Sequence, residues 1–181
     1  MVFSYYRKLS TTQKRIYERS DAIITVPLPD AGEFRPLIPL LSSALAREDR
    51  EQVEALCRKL ALGMADRLAV PPLRVKVLAV RPSASWGELH GLYEPAEGRA
   101  SAVISLWMRT AKHRRVVAFK SFLRTLLHEL CHHLDYELYK LPDSFHTEGF
   151  YKRESSLFHQ LVEEHQSADP NRINEKPVII G

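Results

Sequence analysis

The sequence is poor in cysteine and has no long apolar run. Its two cysteines, Cys57 and Cys131, do not form a C-x-x-C pair. Neither a disulfide framework nor a cysteine-based zinc ribbon can be built from them, so a reducing compartment is expected. No apolar run approaches the roughly 18 residues of a membrane span, and the first residues lack the apolar segment of a signal peptide. These absences predict a cytoplasmic protein without a membrane partner.

Acidic residues are missing from one segment and nearly missing from another. Residues 109–124 hold six basic side chains and no acid, and residues 1–20 hold five basic side chains and one acid. Basic segments of this kind can attract nucleic acid through its phosphates. They are also typical of solvated loops and outer helix faces, which is the interpretation we favour. Nucleic acid therefore stays an alternative partner.

Hydrophobic periodicity predicts an α+β fold. Segments with the spacing of helices are found at about 11–20, 36–46, 48–68, 117–138 and 147–165. Segments 73–80 and 102–108 have the pattern of strands. This order predicts N-terminal helices, a small and mostly antiparallel sheet with an edge strand, and two further helices.

The length of 181 residues fits a single domain. We assign residues 31–166 to this domain. Residues 1–30 are interpreted as a basic N-terminal arm and connector, and residues 167–181 as a flexible C-terminal tail.

One helical segment contains the motif H-E-x-x-H, formed by His128, Glu129 and His132. Residues four apart lie on the same face of a helix, so both imidazoles can hold one metal ion. Glu129 follows the first histidine directly, and its carboxylate can reach a water molecule on that metal. This arrangement is the signature of zinc hydrolases, and it predicts Zn²⁺ as the cofactor.

A catalytic zinc site takes three protein ligands, so a third ligand must follow the motif. The downstream candidates are His146, Glu148, Glu154, His159 and His165. His146 comes just after Pro142-Asp143, where the chain can reverse and return to the metal. Glu154 would instead give a site of two histidines and one glutamate, and the spacing leaves both alternatives open.

Three polar residues near the motif are candidates for supporting roles. Asp135 lies three residues after His132 and can orient an imidazole. A solvated acid at the end of the helix is an equally good interpretation of Asp135. Tyr151 and Arg153 follow the region of the third ligand and can stabilise an oxyanion, although both are more often surface residues.

Residues 121–158 resemble the SprT-like zinc metalloprotease family. Members of this family carry H-E-x-x-H on a helix and, further on, a His followed four positions later by Phe. His146 and Phe150 keep that spacing. Thr147 departs from the family's Gly after the third histidine, and the Cys-rich zinc ribbon or DNA-binding tail of many members is missing. Compact single-domain peptidases called minigluzincins are an equally good comparison.

The resemblance implies a zincin-like metalloprotease domain. In that domain His128, His132 and His146 bind zinc, and Glu129 is the catalytic acid/base. Family members also have an edge strand before the active-site helix, which Val103–Met108 resembles.

The predicted function is hydrolysis of peptide bonds in a protein or peptide substrate by a zinc-activated water molecule. An extended substrate would pair with the edge strand at Val103–Met108. Two alternatives stay open. One is a DNA-associated protease that uses residues 109–124 and the N-terminal arm, and the other is a non-catalytic binding module that zinc stabilises.

Overall fold

The fold is α+β, as the sequence predicts. The computed structural model describes residues 3–85 and 87–162. Within these residues the α-helices are α1 (Thr11–Ala22), α2 (Leu37–Ala46), α3 (Arg50–Arg67), α4 (Phe119–Glu137) and α5 (Glu148–Leu161). The strands, all between α3 and α4, are β1 (Arg74–Val80), β2 (Ser83–Ala84), β3 (Gly87–Glu88), β4 (Gly91–Glu94) and β5 (Val103–Arg109). Short 3-10 helices lie at Ser4–Lys8 and Ala31–Phe34.

Strands β1, β5 and β4 form a three-stranded sheet in that order, and β2 and β3 form a small hairpin. Strand β5 is parallel to β1 and antiparallel to β4, so two of these three strand pairings are antiparallel. The prediction of an edge strand at 103–108 is wrong, because these residues belong to the central strand. Five consecutive residues of β5 are buried, which is typical of a strand covered on both faces.

The two edges of the sheet have different surroundings. At the β1 edge, Glu54 of α3 accepts a hydrogen bond from the Val77 amide at 2.9 Å, and Arg50 donates to the Val77 carbonyl at 3.3 Å. These side chains take the place of a further strand and block pairing with another chain. Strand β4 contacts α4 and, within the described residues, has no strand on its outer side. The open edge of the sheet is therefore β4.

The hydrophobic core joins the helices to the sheet. Helix α3 packs against α2 and β1, whereas α4 packs against β4, β5 and α5. The largest fully buried aliphatic side chains include Leu41, Leu45, Leu60, Met64, Ile104, Leu106, Leu123 and Leu126. Cys57 and Cys131 lie in the same core, and burial raises the pKa of both thiols.

Helix α4 begins two residues later than the periodicity predicts. Val116 forms a bridge with Arg109, and the Val117 amide donates to the Met108 carbonyl at 2.8 Å. These two β-branched residues therefore continue the extended structure along β5. The helix then runs from Phe119 to Glu137 without a Gly or Pro and buries one face.

Helix α1 packs against the start of α5. The Gly149 amide donates to the Asp21 carboxylate at 2.8 Å. A Cβ atom on Gly149 would lie 2.7 Å from the carbonyl carbon of Asp21, so the approach of the two helices requires glycine. Arg153, one turn further along α5, donates to the Ser20 carbonyl at 2.6 Å.

Three predictions from the sequence concern residues that extend beyond the described part of the chain. In the described part of the chain, no helix combines the length and the apolarity that crossing a bilayer requires. The tail assigned to 167–181 and the predicted helix end at His165 lie outside the described residues.

Gly149→Ala is expected to lower the free energy of unfolding by about 1–3 kcal/mol, because the added methyl group displaces the backbone of α1. The loss should appear although alanine is the better helix former. Unfolding in urea, followed by far-UV circular dichroism, measures it. Gly32→Ala is the matched control, since no heavy atom lies within 4 Å of a Cβ at that position. Equal stability of Gly149→Ala and the unmodified protein would contradict the packing described.

Candidate metal centre

Helix α4 presents one face of its motif to a cleft with a volume of about 580 Å³. His128 and His132 lie one helical turn apart, and both line this cleft together with Glu129. On the other side, the cleft is bordered by Gly91 and Tyr93 of the edge strand β4. The motif residues and the open sheet edge therefore face the same space.

A chain reversal after α4 brings a third histidine to this cleft. Lys140 adopts the left-handed conformation, with φ of 51°, and helps to turn the chain. Thr147 then caps α5, with its hydroxyl accepting a hydrogen bond from the Phe150 amide at 2.9 Å. His146, directly before this cap, lies beside the two motif histidines.

The three histidines converge through the same ring atom. His146 Nε2 lies 3.0 Å from His128 Nε2 and 3.1 Å from His132 Nε2. Imidazole nitrogens that share a tetrahedral zinc ion at about 2.0–2.1 Å stand about 3.3 Å apart. The histidines are therefore close enough to bind a metal ion, and three imidazoles suit a site that keeps a fourth position open.

Hydrogen bonds on the far side of two rings fix the direction of their lone pairs. His128 Nδ1 lies 3.2 Å from a Glu154 carboxylate oxygen, which can only accept. His132 Nδ1 lies 2.7 Å from Ser144 Oγ, whose own hydrogen is donated to Asp135 at 2.7 Å. Both Nδ1 atoms therefore carry a hydrogen, and both Nε2 atoms of the neutral rings carry a lone pair.

These lone pairs explain why the cluster suits a cation. One hydrogen on His146 Nε2 can serve only one of its two neighbours, so at least two nitrogen lone pairs would oppose each other. Burial lowers the pKa of His132 to about 3 and that of His146 to about 4, and the charge of His128 adds to both effects. His132 and His146 are thus neutral near pH 7, which is the state that coordinates metals.

Glu154 supports the site and does not complete it. One of its oxygens faces His128 Nδ1, and the other accepts a hydrogen bond from Arg124 at 2.9 Å. Burial by itself would raise the pKa of Glu154, but the hydrogen bonds and charges of His128 and Arg124 lower it. The geometry does not favour Glu154 as third ligand, because each of its oxygens contacts another side chain and the converging group consists of the three histidines.

Glu129 is held against the edge strand. Its side chain is only 6% exposed, and the Tyr93 amide donates a hydrogen bond to its carboxylate. Gly91 makes room for it, since a Cβ atom there would lie 2.8 Å from Glu129 Cγ. Burial raises the pKa of Glu129 to about 7, against the opposing effects of His128 and the Tyr93 amide. A carboxyl group with such a pKa can both accept and return a proton near neutral pH.

Asp135 is connected to His132 through Ser144, a residue that the sequence does not reveal. Its carboxylate accepts a hydrogen bond from Ser144, which in turn contacts His132. Arg153 forms an ion pair with Asp135 at 2.7 Å, and both side chains are fully buried. Arg153 therefore cannot reach a substrate, and the prediction that it stabilises an oxyanion is wrong. Its position instead fixes Asp135.

Tyr151 and His133 lie near the motif, one exposed and the other buried. Tyr151 is 41% exposed, and its ring centroid lies 6.0 Å from those of His128 and His146, so it stays a candidate for oxyanion stabilisation. His133 is fully buried, with its ring nitrogens 2.9 Å from the Pro71 carbonyl and 3.1 Å from the Tyr93 hydroxyl. Both ring nitrogens of His133 are thus occupied by these contacts.

Part of the charge in the basic segment is neutralised by acids. Arg109 pairs with Glu48, and Arg124 pairs with Glu154 at 2.9 Å. Arg124 also lies over the ring of Phe158, with its guanidinium carbon 4.3 Å from the ring centroid. A nucleic-acid partner for residues 109–124 stays a prediction from the sequence.

Ser144→Ala is expected to weaken metal binding by about 10–100-fold, because it disconnects His132 from Asp135 and frees the imidazole to rotate. Competition with a chromophoric chelator measures the dissociation constant for zinc. Ser43→Ala, which removes a hydroxyl on α2 that contacts Arg47, is the control. An affinity equal to that of the unmodified protein would show that the Ser144 link does not support the centre.

Comparison with known proteins gives no match: no family model, curated protein or solved structure aligns with this chain. The resemblance of residues 121–158 to a protease family consequently depends on motif and spacing, and the chemistry of the site depends on the geometry above.

Proposed function

We propose that this chain is a zinc-dependent metallopeptidase of the SprT-like or minigluzincin type. The observation that carries this proposal is the position of Glu129, which shares one cleft with three converging imidazoles. A metal site that only stabilises a fold has no need of a carboxylate with a raised pKa beside it. Together these groups supply the ligands and the acid/base residue that metal-assisted hydrolysis requires.

His128, His132 and His146 would hold the zinc ion, which when bound supplies Lewis-acid activation of water and of the scissile carbonyl. Glu129 accepts a proton from the attacking water at its carboxylate. It then gives that proton to the amine nitrogen as the C–N bond breaks, so the two products are a carboxylic acid and an amine. The hydrogen bond from the Tyr93 amide keeps the carboxylate in place for both transfers.

The proposed substrate is an extended segment of a protein or peptide. It would pair with β4 (Gly91–Glu94), the open edge, and not with the central strand β5. Backbone pairing of this kind recognises main chain and tolerates many sequences. The proposed setting is the cytoplasm, since the two free and buried cysteines fit a reducing compartment.

Glu129→Gln is expected to reduce hydrolysis of a labelled, unstructured protein such as casein by about 10²–10⁴-fold, because glutamine cannot take up the proton. Zinc content and stability in urea should stay as in the unmodified protein, since Glu129 is not a ligand. The rate of fluorescence release by the zinc-loaded protein measures the effect.

Glu137→Gln, the same change further along α4, is the matched control and should keep full activity. Undiminished hydrolysis by Glu129→Gln would overturn the proposed role of this residue. A zinc-loaded protein that hydrolyses nothing, and that unfolds when zinc is removed, would instead indicate a structural metal site.

A further inference from the structure

The third histidine is held by the N-terminal residues. Tyr5 lies in the first 3-10 helix, Ser4–Lys8, and its hydroxyl donates a hydrogen bond to the backbone carbonyl of His146 at 2.8 Å. Burial, together with Tyr17, Tyr151 and Asp21, raises the pKa of Tyr5 to about 12. The hydroxyl therefore keeps its hydrogen and remains a donor at neutral pH.

Aromatic rings surround this hydrogen bond on both sides. The Phe3 ring lies 6.1 Å from the Tyr5 ring and 5.9 Å from the Tyr151 ring. The Tyr17 ring, which is 1% exposed, lies 6.0 Å from Tyr5 and 6.2 Å from Phe145. The residue before His146 and the exposed tyrosine of α5 are thus both packed against the N-terminal segment.

His128 and His132 are held in place differently from His146. His128 and His132 project from the middle of α4, where Leu127, Leu130 and Cys131 anchor the helix in the core. His146 lies in a reversal between two helices, outside any regular element. Its position therefore depends on what holds the reversal in place, and Tyr5 and Tyr17 supply two of these contacts.

We propose that Tyr5 is a positioning residue of the metal centre and that docking of residues 3–22 sets its affinity for zinc. The inference rests on the proposed zinc site but not on peptidase activity. A reversal already fixed in the binding geometry has less conformational freedom to lose when the metal is bound. By linkage, a bound metal in turn favours the docked state of the N-terminal segment.

The test is the zinc affinity of Tyr5→Phe, measured by competition with a chromophoric chelator. Phenylalanine keeps the aromatic packing and removes only the donor, so the expected result is binding about three- to tenfold weaker. Tyr6→Phe is the matched control: Tyr6 lies in the same 3-10 helix, but its hydroxyl donates to Glu18 at 2.6 Å. Its zinc affinity should be unchanged.

A second comparison separates positioning from general stability. In the His146→Ala background, Tyr5→Phe is expected to have no further effect on the residual zinc affinity, because the ligand that it positions is gone.

Equal zinc affinity of Tyr5→Phe and the unmodified protein would overturn the inference and leave the proposed function standing. The same loss in Tyr6→Phe would overturn the role of the Tyr5 hydroxyl. An unmodified protein that binds no zinc would overturn both, whereas zinc binding without peptidase activity would overturn only the proposed function.

Discussion

The convergence of three imidazole nitrogens, with those of His128 and His132 each about 3 Å from that of His146, is the constraint on which the other features of the site depend. Neutral lone pairs at such distances repel, so each ring must be held from outside. His128 is held by Glu154 and Arg124, and His132 by Ser144, behind which lie Asp135 and Arg153. The buried ion pair of Asp135 and Arg153 is costly to remove from water, and its connection to the site gives a physical reason for its presence.

Helix α5 and residues 3–22 belong to the same network of contacts that holds the three histidines. Arg153 contacts both Asp135 and the carbonyl of Ser20, so a single side chain joins the support of His132 to helix α1. Gly149 allows α1 and α5 to approach closely, and Tyr5 reaches the carbonyl of His146. The candidate metal centre is therefore built from three separate stretches of the chain, and the first of these lies more than a hundred residues before the motif.

Local patterns in the sequence predict most of the helices and the two ligands of H-E-x-x-H, because helical spacing places both histidines on one face whatever surrounds them. His146 is one of the predicted third ligands and lies close to both motif histidines, although spacing alone does not exclude Glu154. The pairing partners of a strand depend on distant residues, so the sequence alone does not show that the edge is β4, only four residues long, and not 103–108. Ser144 and Tyr5 belong to no motif, and only the folded chain brings them to the site.

The zinc content of the purified protein and of two variants tests the central claim most directly. A three-histidine centre should hold about one zinc ion per chain in the unmodified protein and in Glu154→Gln, whose amide oxygen can still accept from His128, and should lose zinc in His146→Ala. Zinc that stays in His146→Ala and leaves Glu154→Gln would contradict the three-histidine centre. An unmodified protein that retains no zinc after supplementation would contradict the metal centre altogether.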